Sequence, residues 1–174
     1  MSARFGSRSL LLLVAGGLLA AAPLPAQLLG RPAPEFTLKT LDGDTSRLSD
    51  HAGRPILINF WASWCKPCRR EMPLLIAAHR AHREEGLAIL AIDLTDQERS
   101  AGEIRRFQTE FQMPFPVLLD EKGKVRRLYA LRGVPTSVFV GPDGVVRTVN
   151  QGPIDSVALR EHLADILGER SGAP

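Results

Sequence analysis

Apolar and polar positions alternate between a two-residue and a three-to-four-residue period along most of this chain. "APEFTL" (33–38) and "TSRLSD" (45–50) read as short strands of an N-terminal hairpin, with "LDGD" as the turn. "PILINFWA" (55–62) is a near-continuous apolar run of strand length, the mark of a strand covered on both faces. From Cys65 to about Glu85 the period becomes helical, with Met72, Leu75, Ile76 and Ala78 or His79 on one side, and Pro73 is expected to kink the helix. "GLAILAIDL" is the next strand. A helix follows through Ile104, Phe107 and Phe111, opened by a capping box of Ser100 and Glu103 and ended before Pro114.

"FPVLLD" is again a strand and "KGKVRRLYAL" a short helix. "VPTSVFV", the turn "GPDG" and "VVRTVN" read as a strand, a tight turn and an antiparallel partner. The last helix, "DSVALREHLADIL", is capped by Asp155 or Ser156 and buries Leu159, Leu163 and Leu167. The order β β, β α β, α, β α, β β, α predicts an α/β sandwich: a mainly parallel sheet with helices on both faces and a terminal hairpin adding antiparallel edge strands. No internal repeat interrupts it.

Residues 1–26 stand apart from this alternation. "MSARFGSRS" carries two arginines and no acid, residues 10–22 form an unbroken apolar run of 13, and Ala26 precedes a polar residue. That layout is an export signal, with a retained N-terminal membrane anchor as the alternative reading, since the run is shorter than the roughly 20 residues of a spanning helix. The remainder, 27–174, is read as one domain.

Composition changes the picture little, and charge changes it once. With 44% hydrophobic and 24% charged residues the chain is globular rather than disordered. Its formal charge of +3 falls to +1 when Arg4 and Arg8 of the leader are set aside. The basic pairs in "CRRE", "IRRF" and "VRRL" are then solvated helix faces, and no basic run interleaved with aromatics suggests nucleic-acid binding.

The only two cysteines lie three positions apart in "FWASWCKPCRREMP" (60–73). A c-type haem site needs His after the second cysteine, where Arg69 stands. A zinc site needs a second ligand pair, and the four histidines are scattered, with His79 and His82 on one half-exposed helix face. As a structural staple the pair would close too short a loop to gain much entropy. Redox chemistry accounts for more. Cys65 falls between a buried strand and a helix, where unpaired amides and the helix dipole stabilise a thiolate; Lys66 adds a neighbouring cation, and Pro67 suits the first turn. Cys68 returns beside Cys65 but deeper, giving one exposed nucleophile and one shielded resolving thiol.

"FWASWCKPCRREMP" and "RGVPTSVFV" resemble the two signatures of thioredoxin-fold proteins. With "GRPAPEFTL", "PFPVLLDEKGKV" and the leader, residues 30–168 are similar to the extracytoplasmic TlpA/ResA-like thiol:disulfide oxidoreductases, which include cytochrome c maturation proteins of the CcmG/DsbE type. The resemblance implies a thioredoxin-like α/β sandwich with a central mixed sheet, an N-terminal β-hairpin extension and a helical insertion. It implies Cys65 as nucleophile, Cys68 as resolving cysteine, Pro135 as a cis proline in the substrate groove, and Trp64 and Val134 as substrate-binding residues. No cofactor and no metal are implied, only the Cys65–Cys68 disulfide. The implied partners are protein disulfides, apocytochrome c among them, and a membrane dithiol donor that re-reduces a monomer in the bacterial periplasm or cell envelope.

One departure bears on proton transfer. Cytoplasmic thioredoxin has a buried Asp in the strand before the dithiol, where this chain has Asn59, which cannot exchange a proton near neutral pH. Alignment of "AIDLTDQE" with the TlpA/ResA pattern implies Asp96 as the proton acceptor, with Glu98 and Asp93 as rivals. Three other functions stay in view: an oxidase using the same pair in reverse, a Cu(I) chaperone holding metal on both thiolates, and a peroxidase. The last is suggested by "PAPEFTL", which peroxiredoxins share, although their Thr-x-x-Cys pattern is absent.

Overall fold

The computed structural model describes residues 28–168; the leader or anchor read at 1–26 lies outside them. The hairpin comes first, as β1 (Thr37–Thr40) and β2 (Thr45–Arg47). Both strands are shorter than the sequence pattern suggests; β2 stops at Arg47 because the Asp50 carboxylate accepts the Arg47 amide at 2.8 Å and draws Leu48–His51 into a turn of 3₁₀-helix. β3 (Ile56–Trp61) and β4 (Ala88–Asp93) are buried at every position, as near-continuous apolar runs require. Between them α1 (Lys66–His82) continues through Pro73 as one helix.

α2 (Ala101–Phe111) leads to β5 (Val117–Leu119). Ser100 occupies its N-cap without a side-chain bond, and Glu103 faces Arg106 at 3.2 Å, so the expected capping box is replaced by an ion pair within the helix. α3 (Lys124–Leu128), β6 (Thr136–Val140), β7 (Val146–Gln151) and α4 (Ser156–Leu167) complete the chain. The Asp155 carboxylate caps α4, accepting the amides of Val157 and Ala158 at 2.9 Å each. Among the described residues no helix is long and apolar enough to cross a membrane.

The seven strands form one sheet in the order β2-β1-β5-β4-β3-β6-β7. Only β3 with β4 and β4 with β5 are parallel; β1 with β2, β1 with β5, β3 with β6 and β6 with β7 are antiparallel. The mainly parallel sheet expected from the element order is therefore a mixed one. A helix rises about 1.5 Å per residue, so five-residue α3 cannot carry the chain back across the sheet as 17-residue α1 does. β6 instead starts at the end where β5 stops and runs in reverse. Its first residue, Thr136, consequently sits opposite Phe60, near the end of β3.

Side chains alternate across the sheet into two cores. Leu57, Trp61, Ile89, Ala91, Val117 and Phe139 meet α1, α2 and α4 on one face. Ile56, Ile58, Phe60, Leu90, Ile92 and Val138 meet Val125 and Tyr129, from α3 and its end, on the other. The first described residues lie along β7: the Gly30 amide donates to Val146 O and the Val146 amide to Arg31 O, both at 2.9 Å, and Pro32 bridges Val145.

Candidate active site

Three chain segments converge where β3 and β4 end and β6 begins. The turn after Trp61 carries Cys65 as the N-cap of α1, with extended dihedrals and its Sγ accepting the Cys68 amide at 3.2 Å. Pro67 lies in the first turn, where amides have no intrahelical partner in any case. Cys65 and Cys68 are joined as a disulfide. Lys66 is exposed beside them, and so is Trp64, at 52%.

Sequence reasoning expects an exposed Cys65 over a shielded Cys68. Both are covered here, at 3% and 0%, because the bonded sulfurs screen each other and Val134 packs against their cluster. The Val134–Pro135 peptide bond is cis, in agreement with the proline signature. Trp64, Leu131, Gly133 and Val134 line a groove of about 130 Å³ that also touches Leu94, Gln97, Arg126 and Arg132. A hollow of about 420 Å³ lies between β1 and α3 on Phe36, Leu38 and Val125, but no redox residue lines it. The small groove is the one that adjoins the dithiol turn, through Trp64 and Val134.

Of the three candidate acids, Asp96 pairs with Arg126 of α3, which donates through Nε at 3.1 Å and Nη2 at 2.9 Å. Glu98 accepts the Ser63 hydroxyl at 2.6 Å on Oε2 and the Ser63 amide on Oε1. Asp93 is fully buried at the end of β4, in register with Trp61. The residue missed from sequence is Glu71. It stands three positions after Cys68 on the same face of α1, buried at 3%. Asn59 Nδ2 donates to its Oε1 at 3.0 Å and the Ile154 amide to its Oε2 at 3.1 Å, while Asn59 also donates to Ser137 Oγ at 3.0 Å. The available signal was a carboxylate inside the apolar stripe of Cys68, Met72 and Leu75.

Burial pushes the Glu71 pKa up, and the two donated hydrogen bonds offset it only in part. The folded state thus holds this proton more tightly than the unfolded chain. Its contribution is most favourable below the unfolded carboxylate pKa and declines as pH rises from there through the raised folded value. Glu71→Gln removes that dependence. In denaturant melts taken across the acid-to-neutral range, the variant is expected to gain stability relative to the native chain as pH rises. Parallel curves would mean that the carboxyl titrates normally.

His79 and His82 behave as helix-surface residues. His79 packs edge-on against Phe115 with ring centroids 5.5 Å apart, and His82 Nδ1 meets Glu85 at 2.8 Å. Among the described residues no three His, Cys, Asp or Glu side chains gather as a metal-ion cage.

Residues 29–149 match the AhpC/TSA family. The thioredoxin-like protein YneN of Bacillus subtilis is 36% identical over 134 residues, covering 77% of this chain and 78% of that protein. The thiol-disulfide oxidoreductase ResA of Oceanobacillus iheyensis is 34% identical, covering 82% and 74%. A Chlorobium tepidum structure provisionally assigned as a thiol:disulfide interchange protein DsbE superposes with a TM-score of 0.74 at 32% identity, covering 80% of this chain and 98% of that one.

Proposed function

Since the chain belongs to the AhpC/TSA family and is a thiol-disulfide oxidoreductase of thioredoxin fold, we propose that it reduces protein disulfides outside the cytoplasm through Cys65 and Cys68. The observation that supports this most is Cys65 at the N-cap of α1, where an unpaired-amide helix end favours a thiolate over a thiol. In the reduced protein the Cys65 thiolate attacks one sulfur of a substrate disulfide. A Cys65–substrate bond forms, the substrate S–S bond breaks, and the departing sulfur leaves as a thiolate. Cys68 then gives its proton to a carboxylate and attacks Cys65 Sγ. The internal disulfide forms and the second substrate sulfur is released.

Glu71 suits that proton better than Asp96. It lies one helical turn beyond Cys68 on the same face, and its raised pKa narrows the gap to a thiol, whereas Asp96 is tied to Arg126. The groove beside Val134 and Pro135 holds the substrate segment, with Trp64 at its border. A membrane dithiol donor returns the pair to the reduced state. The substrate class that fits the family resemblance is an apocytochrome c with its CxxCH disulfide.

Trapping tests this. Cys68→Ala leaves the mixed disulfide unresolved, so the variant expressed with its leader in a bacterial cell envelope should retain its substrates covalently on Cys65. Recovery of apocytochromes supports the reading; a broad set of secreted proteins would instead mark a general oxidase or isomerase. Stoichiometric Cu(I) on the purified protein without insulin reduction would point to a copper carrier.

A further inference from the structure

Asp93 is fully buried at the dithiol end of β4. Its Oδ1 accepts the Thr95 hydroxyl at 2.9 Å, and its Oδ2 has no hydrogen-bond partner. Glu98, held on Ser63 two residues past Trp61, the residue in register with Asp93, is the acid whose charge bears most on it. Glu98 already spends both oxygens as acceptors, one on the Ser63 hydroxyl and one on the Ser63 amide. Two carboxyl groups brought to the same end of the sheet, one of them fully buried, do not readily both ionise; one keeps a proton. With Glu98 accepting from two donors, the proton belongs on Asp93, whose unpartnered oxygen can then donate.

We propose that Asp93 is a positioning residue for the redox centre: as a neutral acid it donates to Glu98, and the chain Asp93–Glu98–Ser63 holds the turn that presents Cys65 at the start of α1. The turn is bound on both sides, because the Leu94 amide donates to Trp61 O at 3.0 Å and the Cys65 amide to Ala62 O at 3.1 Å. Trp61 on β3 and Leu119 on β5, the residues in register with Asp93, do not titrate. Asp96, three residues on, is paired with Arg126 of α3, and Arg69 of α1 is engaged over the Phe107 and Phe111 rings of α2. Glu98 is therefore the charge that governs Asp93. Burial, then the Glu98 charge, push the Asp93 pKa up to about 8. The clamp is intact while the acid is neutral; as pH rises through that value two like charges face each other and Ser63 is released.

The proposal rests on Cys65 as the attacking sulfur, and its test is made on the oxidised full chain, where neither cysteine titrates and turnover plays no part. The two tryptophans, Trp61 and Trp64, flank Ser63, so their fluorescence reports the turn. The native chain should show a transition with a midpoint near pH 8. Asp93→Asn keeps a donor for Glu98 but cannot ionise, so it should hold the low-pH spectrum through that range. Asp93→Ala lacks the donor and should give the high-pH spectrum already at neutral pH. Glu98→Gln should fold and move the midpoint to lower pH, which keeps the test decisive if the Ala variant misfolds. A midpoint that survives in Asp93→Asn, equal behaviour of the Asn and Ala variants, or no transition in the native chain overturns the assignment. The expected fluorescence without insulin reduction would count against the proposed function alone.

Discussion

Cys65→Ser is expected to bring insulin reduction down to background, a loss on the order of 10³-fold or more, as removal of an attacking atom does elsewhere. A hydroxyl has no accessible anion near neutral pH and forms no bond of the disulfide kind, so the first exchange step has no substitute. The fold should survive. Ser is a favoured N-cap residue, and its Oγ can accept the Cys68 amide that Cys65 Sγ accepts now. The lost disulfide spans only three positions, so little of the unfolded chain's entropy depended on it. Circular dichroism melts beside the reduction assay separate a chemical loss from a structural one. A residual rate within about tenfold of native would place the attacking sulfur on Cys68 and reverse the roles of the pair.

Trp61→Ala should cost about 3–5 kcal/mol, the range for emptying a large aromatic site in a core. Trp61 ends β3 with no exposed surface, and its ring lies 4.2 Å from that of Phe107, which in turn lies 4.6 Å from Phe111. Arg69 of α1 covers both phenyl rings at 5.2 Å and forms an ion pair with Glu110, so a single aromatic stack ties β3, α1 and α2 together. The indole Nε1 makes no hydrogen bond, so the loss comes from packing and the cavity left behind. Thermal melts would read it, with a fall in Tm of roughly 2–4 °C per kcal/mol for a chain of this size. Trp61→Phe should recover most of it. A cost below about 1 kcal/mol for the alanine variant would show that the neighbours collapse into the space.

The parts of this molecule that sequence discloses are those held by short-range physics. Cysteine spacing, the helix start at Lys66, the buried runs of β3 and β4 and the proline before β6 each depend on neighbours a few residues away. Strand direction does not: the reversal at β6 follows from α3 being five residues long, and "KGKVRRLYAL" could as well have supplied a longer helix. The polar partners are hidden for the same reason. Asn59 meets Ser137 across 78 positions, and Ser63 meets Glu98 across 35, separations that no periodicity encodes. Asp96 is the acceptor that alignment implies, and its partner Arg126 lies 30 positions on. Glu71 is the buried polar partner that sequence could disclose, since it breaks the apolar stripe one turn after Cys68.

The segment laid along β7 sets the pole at which the described chain enters the domain. Gly30 and Arg31 bond Val146, Val146 pairs with Val140, and Val140 with Ile56, so the polypeptide joins the domain at the pole where β3 begins, whereas the reactive sulfurs sit where β3 finishes. A six-residue strand spans about 20 Å. Any tether ahead of Leu28 would therefore hold the domain by the pole opposite the groove, leaving the sulfurs at the free end.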